Sequence, residues 1–113
     1  MELSRDEFEN IKKLPYLKSQ VVSDSMVPVL KVGDRVVIEI GNLNLQRFDI
    51  IVIFVDGKLI CHYIWKINSF VKPVIIQTRN MRKHMDMPIM LDDYLGKVVS
   101  HQLSLWQKLK LMF

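Results

Sequence analysis

Six consecutive apolar residues, Ile50-Ile51-Val52-Ile53-Phe54-Val55, run into Asp56-Gly57 and then into a second, largely apolar stretch at 58–67. An Asp-Gly pair suits the two central positions of a tight hairpin turn, because both need positive φ. The two stretches are expected as antiparallel neighbours, and the fold has to be built around them. The remaining sequence points the same way. There is no alanine, and Ile and Val together supply 25 of 113 residues, a balance that favours strands over helices. Short apolar runs at 36–40, 50–55, 59–67, 74–78 and 97–103 are separated by Gly-Asp, Asp-Gly and Asn and read as strands. Pro73 and Pro88 fall at the edges of runs, where a missing donor is tolerated. A helix is expected at 4–14, with Ser4 as cap, Glu7 completing a capping box, Phe8 and Ile11 on one face, and Pro15 ending it. Residues 103–113 suit a strand end followed by a short apolar helix.

At 13.3 kDa the chain fits one core, and its hydrophobic half and charged quarter exclude a disordered tail. The single cysteine, Cys61, can form neither an internal disulfide nor a Cys-rich zinc site, and it reads as a small core residue. His84 and His101 lack partners at ligand spacing, so no metal or other cofactor is expected. The longest apolar run, six residues, is far below the roughly 20 that cross a bilayer as a helix. The opening Met1-Glu2-Leu3-Ser4-Arg5-Asp6-Glu7 has no basic segment before an apolar one, so no export signal is expected. A cytoplasmic or peripherally membrane-associated chain is the expectation. Net charge is +4, with eight bases against three acids in residues 61–113. These eight bases are scattered singly, apart from Arg82-Lys83, and are not interleaved with aromatics, so nucleic acid is not expected as a partner. Leu105, Trp106, Leu109, Met112 and Phe113 with Lys108 and Lys110 leave a membrane-surface contact open beside simple packing onto the sheet. Oligomeric state is not legible.

Three blocks carry the chemistry. They are Ser23-Asp24-Ser25-Met26-Val27-Pro28-Val29-Leu30 with Gly33-Asp34, then Phe48-Asp49-Ile50-Ile51-Val52-Ile53-Phe54, then Cys61-His62-Tyr63-Ile64. In this order and spacing they resemble the superfamily of signal peptidase I and the self-cleaving, LexA-like SOS repressors. The resemblance covers about residues 21–99 and implies a small antiparallel β-barrel-like catalytic domain at 21–113, preceded by a helical extension at 1–20. It also implies a serine endopeptidase that cuts an extended peptide or leader.

The residues make a physical case beside it. A serine hydroxyl is a poor nucleophile unless a neighbouring base takes its proton. His62 and Lys66 are the candidates for Ser25, and His62 follows it by 37 residues. An imidazole is largely unprotonated at neutral pH, whereas an ammonium must be buried before it can serve, so His62 is the better base. In this the sequence resembles the Ser-His branch, similar to the signal peptidases of archaea and the endoplasmic reticulum. By the same resemblance, Ser23 and the Ser25 amide form the oxyanion hole, and Asp86 orients His62. Tyr63 stands where arginine is usual, and the Gly-Asp expected after Thr78-Arg79 is missing, with Asn80 near its place in a shortened loop.

An extended peptide is expected to pair its backbone with the edges bordering Ser25 and His62. Met26, Pro28, Ile60 and Ile64 are the expected substrate contacts, with Val22, Ile51 and Ile53 as further candidates for the lining. Met81, Met85, Met87 and Met90 suit an adaptable apolar lip or core filling, and Asp92-Asp93 suits a solvated turn. A catalytically degenerate module that only binds peptide is the alternative function. A self-cleaving repressor is not expected, because 1–20 is too short for a DNA-binding domain and no Ala-Gly or Cys-Gly bond exists.

Overall fold

Strand β3 (Ile50–Val55) lies in the middle of a seven-stranded antiparallel sheet and is covered on both faces. The structure is a computed structural model that describes residues 2–68, 70 and 72–113. On one face Ile50 and Val52 join a core with Phe8, Met26, Leu30, Val36, Ile38, Tyr63, Leu95 and Val98. On the other, Ile51 and Ile53 pack with Ile64, Ile76, Ile89 and Tyr94. Successive side chains of a strand point to opposite faces, so a strand buried on both sides must be apolar throughout, as β3 is.

The expected hairpin is present. Strand β4 (Lys58–Asn68) pairs with β3 from Val55↔Lys58 to Ile50↔Tyr63, and the turn residues Asp56 and Gly57 adopt φ of 50° and 77°. Three further strands are β2 (Arg35–Ile40), β5 (Ile75–Arg79) and β7 (Tyr94–Val98). Strand β7 begins earlier than its apolar run suggests. Its Gly96 lets it lie tightly against β2, and Leu103, expected in the strand, turns into the core ahead of the last helix.

Helix α1 (Arg5–Ile11) has the expected capping box, with Ser4 Oγ accepting from the Glu7 N–H and the Glu7 carboxylate accepting from the Ser4 N–H. Phe8 is buried and stacks on Phe54 with centroids 4.4 Å apart. The helix ends sooner than 14. Residues read as part of a helical extension instead form strand β1 (Tyr16–Gln20), paired with β2 from Tyr16↔Glu39 to Gln20↔Arg35. Its side chains are almost all exposed, so backbone pairing rather than burial defines it. Helix α2 (Leu105–Met112) is capped by a second box, Ser104 with Gln107, and inserts Leu111 into the core.

The strand order is β1-β2-β7-β3-β4-β5-β6, where β6 is Ile89–Met90. The sheet is mainly antiparallel β as expected but is not closed into a barrel: β1 and β6 are its two ends. Closing it would require them to pair, and β6 offers only two residues, both already paired with β5. Among the described residues no helix is long and apolar enough to cross a membrane.

A methyl group on Gly96 would lie 2.5 Å from the Glu39 carbonyl oxygen and 2.9 Å from the Ile40 Cα, both of them backbone atoms that cannot turn aside. Gly96→Ala is expected to destabilise the fold by about 1–3 kcal/mol or more, since overpacking here must move a strand. An unchanged unfolding midpoint in denaturant titration would show that β2 and β7 can separate without cost.

Candidate active site

The segment between β1 and β2 is an irregular loop closed at its neck. Val21 donates its N–H to the Asp34 carbonyl and accepts at its own carbonyl from the Gly33 N–H, each at 2.8 Å. Gly33 has φ of 94°, and the Asp34 carboxylate accepts from the Lys31 N–H at 2.9 Å, so Gly33-Asp34 shapes the reversal. Within the loop the Val27 N–H bonds to the Asp24 carbonyl and the Leu30 N–H to that of Met26, forming a short coiled turn. Met26 and Leu30 fasten this turn to the core, and the half-buried Ser25 sits at its start. The Val27–Pro28 peptide bond is cis.

Strand β4 brings the imidazole to it. His62, 8 % exposed, pairs across to Ile51 and places Nε2 3.2 Å from Ser25 Oγ. Its Nδ1 lies 2.5 Å from Asp86 Oδ2, and the Thr78 hydroxyl donates to that same oxygen at 2.6 Å. Burial raises the energy of the ionised Asp86 carboxyl, but the bonds from His62 and Thr78 and the attraction of the imidazole outweigh it, holding its pKa below the usual carboxylate value. An ionised carboxylate can only accept, so Nδ1 carries a proton, and whenever the ring is neutral Nε2 offers its lone pair to the Ser25 hydroxyl. Ser25, His62 and Asp86, all expected from the sequence, are thus brought into one chain of hydrogen bonds. Lys66, the other candidate base, lies exposed beyond a bulge that follows Ile64, opposite Gln77 on β5.

The shortened loop after β5 reaches the site by a different local device. Asn80 Oδ1 accepts from the Arg82 and His84 N–H groups at 2.9 and 3.1 Å, and the Asn80 N–H bonds to the His84 carbonyl. This tight side-chain-closed turn returns the chain so that the Asp86 N–H bonds to the Thr78 carbonyl. The same loop grips the nucleophile turn: the Met81 N–H donates to the Ser25 carbonyl at 3.0 Å, and Arg82 pairs with Asp24 at 3.1 Å. The sequence alone assigns no contact at the site to Thr78 or Asn80, and to Met81 only an apolar lip or core filling. Thr78 and Asn80 carry side chains able to bond near Asp86, but a main-chain donor such as that of Met81 leaves no trace in residue type.

Beside Ser25 and His62 opens a cleft of about 420 Å³. Val22, Ser23, Leu59, Ile60, Cys61 and Asn80 line it, over a floor that includes Met26, Val36 and Ile38. Met26 therefore takes the place expected of it, whereas Ile60 borders the cleft with its side chain packed against the opposite core. Pro28 does not: it lies exposed on the coiled turn, away from the cleft. Ile64 is fully buried in the opposite core with Ile51 and Ile53, because β5 covers β4 from Tyr63 onward, and none of these three can meet a substrate. Ser23 Oγ accepts from the Ser25 N–H at 3.2 Å, so the two expected oxyanion groups are bonded to each other. Burial pushes the Cys61 thiol up to about 12, leaving it protonated and a poor nucleophile. Among the described residues no three His, Cys, Asp or Glu side chains gather as a metal site.

An Asp86 carboxyl that ionises more readily in the fold than the free value of 3.8 adds stability that is complete above that pH and is lost as pH falls through the lower folded value. Asp86→Asn should therefore lower the denaturant midpoint at pH 7, with the gap to wild type shrinking below about pH 4. A gap that ignores pH would mean that the carboxylate charge is not what Asp86 contributes. Scanned against protein-family models and searched against curated proteins, the sequence matches none, so the case for its chemistry rests on the residues and their geometry.

Proposed function

We propose that the chain is a serine endopeptidase of the signal-peptidase-like type, which cuts an extended peptide through an acyl-enzyme on Ser25. One observation carries the reading: a hydroxyl, an imidazole and a carboxylate bonded in series, with the hydroxyl end at an apolar cleft.

The banks of the cleft suit a peptide in β conformation. In the β3–β4 ladder, Lys58, Ile60 and His62 fall at hydrogen-bonded positions, so Leu59 and Cys61 point their N–H and C=O away from β3, toward the cleft. Val22 and Ser23 border the other side. A peptide strand between these banks would bridge β4 to the end of β1 and complete a barrel of the signal-peptidase type around the larger core.

In the proposed reaction His62 Nε2 takes the Ser25 proton as Oγ attacks the scissile carbonyl carbon. Ser23 turns its hydroxyl away from its present bond, so that it and the freed Ser25 N–H both donate to the oxyanion. The imidazolium, steadied by Asp86, then protonates the departing amine as the C–N bond breaks. Water, deprotonated by the same imidazole, attacks the ester and releases the acid, and the proton returns to Ser25. The alternative, a module that binds peptide without cutting it, draws on the present engagement of the Ser25 N–H with Ser23.

Purified protein incubated with a library of extended peptides should release new termini detectable by mass spectrometry. Ser25→Ala and His62→Ala should each abolish cleavage, and the double variant should be no worse than either. Asp86→Asn should slow it by about 10⁴-fold and Ser23→Ala by about 10²–10³-fold. Undiminished cleavage by Ser25→Ala would overturn the proposal. Peptide binding that survives in that variant, with no turnover by wild type, would establish the binding module instead.

A further inference from the structure

Helix α2 is amphipathic in the inverted sense. At about 100° per residue, Leu105, Trp106, Leu109, Met112 and Phe113 fall within an arc of about 120°, and this stripe faces away from the protein. Leu105 is 75 %, Trp106 66 % and Phe113 92 % exposed. The opposite face, turned to the sheet, carries the half-buried Gln107 and the fully buried Leu111. Lys108 and Lys110 flank the stripe on its two borders, and Lys110 lies 5.6 Å from the Trp106 ring centre.

The helix is held rigidly in this pose. Its start is capped by the Ser104–Gln107 box. Near its end, the buried guanidinium of Arg79 donates to the Leu111 carbonyl at 2.9 Å and to the Tyr63 hydroxyl at 2.8 Å, and stacks on Trp65 at 3.4 Å. An apolar stripe presented outward by such an anchorage is built to be covered from outside.

We propose that α2 docks the protein on an anionic lipid surface, with the stripe entering the headgroup boundary and Lys108 and Lys110 reaching back to lipid phosphates. Charge complementarity selects this occupant. Residues 94–113 contain three lysines and no acid, so a symmetric pairing of two copies through α2 would set lysines against lysines. An anionic bilayer instead accepts the Trp ring, the aliphatic stripe and both snorkelling ammonium groups together. This surface makes no use of Ser25 or His62 and stands whether or not the chain cuts peptides.

The test is co-sedimentation of the full chain with vesicles of phosphatidylcholine mixed with phosphatidylglycerol, against phosphatidylcholine alone. Binding to the mixed vesicles is expected, weakening with salt and moving the tryptophan emission to the blue. Lys108→Gln and Lys110→Gln should each lower partition about fivefold. Leu105→Gln/Trp106→Gln should abolish it with thermal unfolding unchanged, since both side chains are already exposed. Ser25→Ala should bind as wild type does. Failure to sediment with mixed vesicles, equal binding to uncharged ones, or a concentration-dependent dimer dispersed by Leu105→Gln/Trp106→Gln would each overturn the assignment.

Discussion

Strand β4 changes partners halfway along its length, and the rest of the site follows from where it does so. From Lys58 to His62 it pairs only with β3, among the described residues, and from Tyr63 it is clasped on its second edge by β5. Its bare half becomes the wall of the cleft. Its clasped half brings Thr78 and the loop after β5 to the back of the imidazole. His62 stands at the junction, with one ring nitrogen toward the cleft and the other toward Asp86. A strand paired along both edges would seal the cleft, and one free along its whole length would leave Asp86 without support.

The loop of residues 80–86 ties the three catalytic candidates into a single mechanical unit. It supplies Asp86 to His62, a main-chain donor to the Ser25 carbonyl and a cation to Asp24. Because these links leave one short segment, any shift of the loop displaces the nucleophile turn and the imidazole together. The buried polar groups here are mutually satisfied, and no orphaned buried side-chain polar atom is found among the described residues. Arg79 extends the same economy into the core, where π-faces, a phenol and a carbonyl receive a cation.

The hairpin, the capping box at Ser4 and the spacing of Ser25 from His62 were legible because each depends on residue types at fixed local offsets or in ordered blocks. Strand β1 was not, since Tyr16, Lys18, Ser19 and Gln20 are exposed and only the partner strand makes them extended. Ile64 was misplaced for a related reason. It shares a strand face with Ile60 and His62, and what separates lined from buried along that face is the cover given by β5, a tertiary fact. The loop after Thr78-Arg79 lacks the expected Gly-Asp and is shorter, yet Asn80 closes the turn with its own side chain and delivers Asp86 all the same.

The larger core draws on both helices, through Phe8 of α1 and Leu111 of α2, and Arg79 bonds to a carbonyl of α2. During synthesis the ribosome releases α2 after every strand of the sheet. Until it emerges, the nascent polypeptide holds a guanidinium beneath the Thr78–Asp86 corner without its main-chain acceptor, and Leu111 is missing from the interior. Translation order therefore delays completion of the folded platform until the segments bearing Ser25, His62 and Asp86 have already been made.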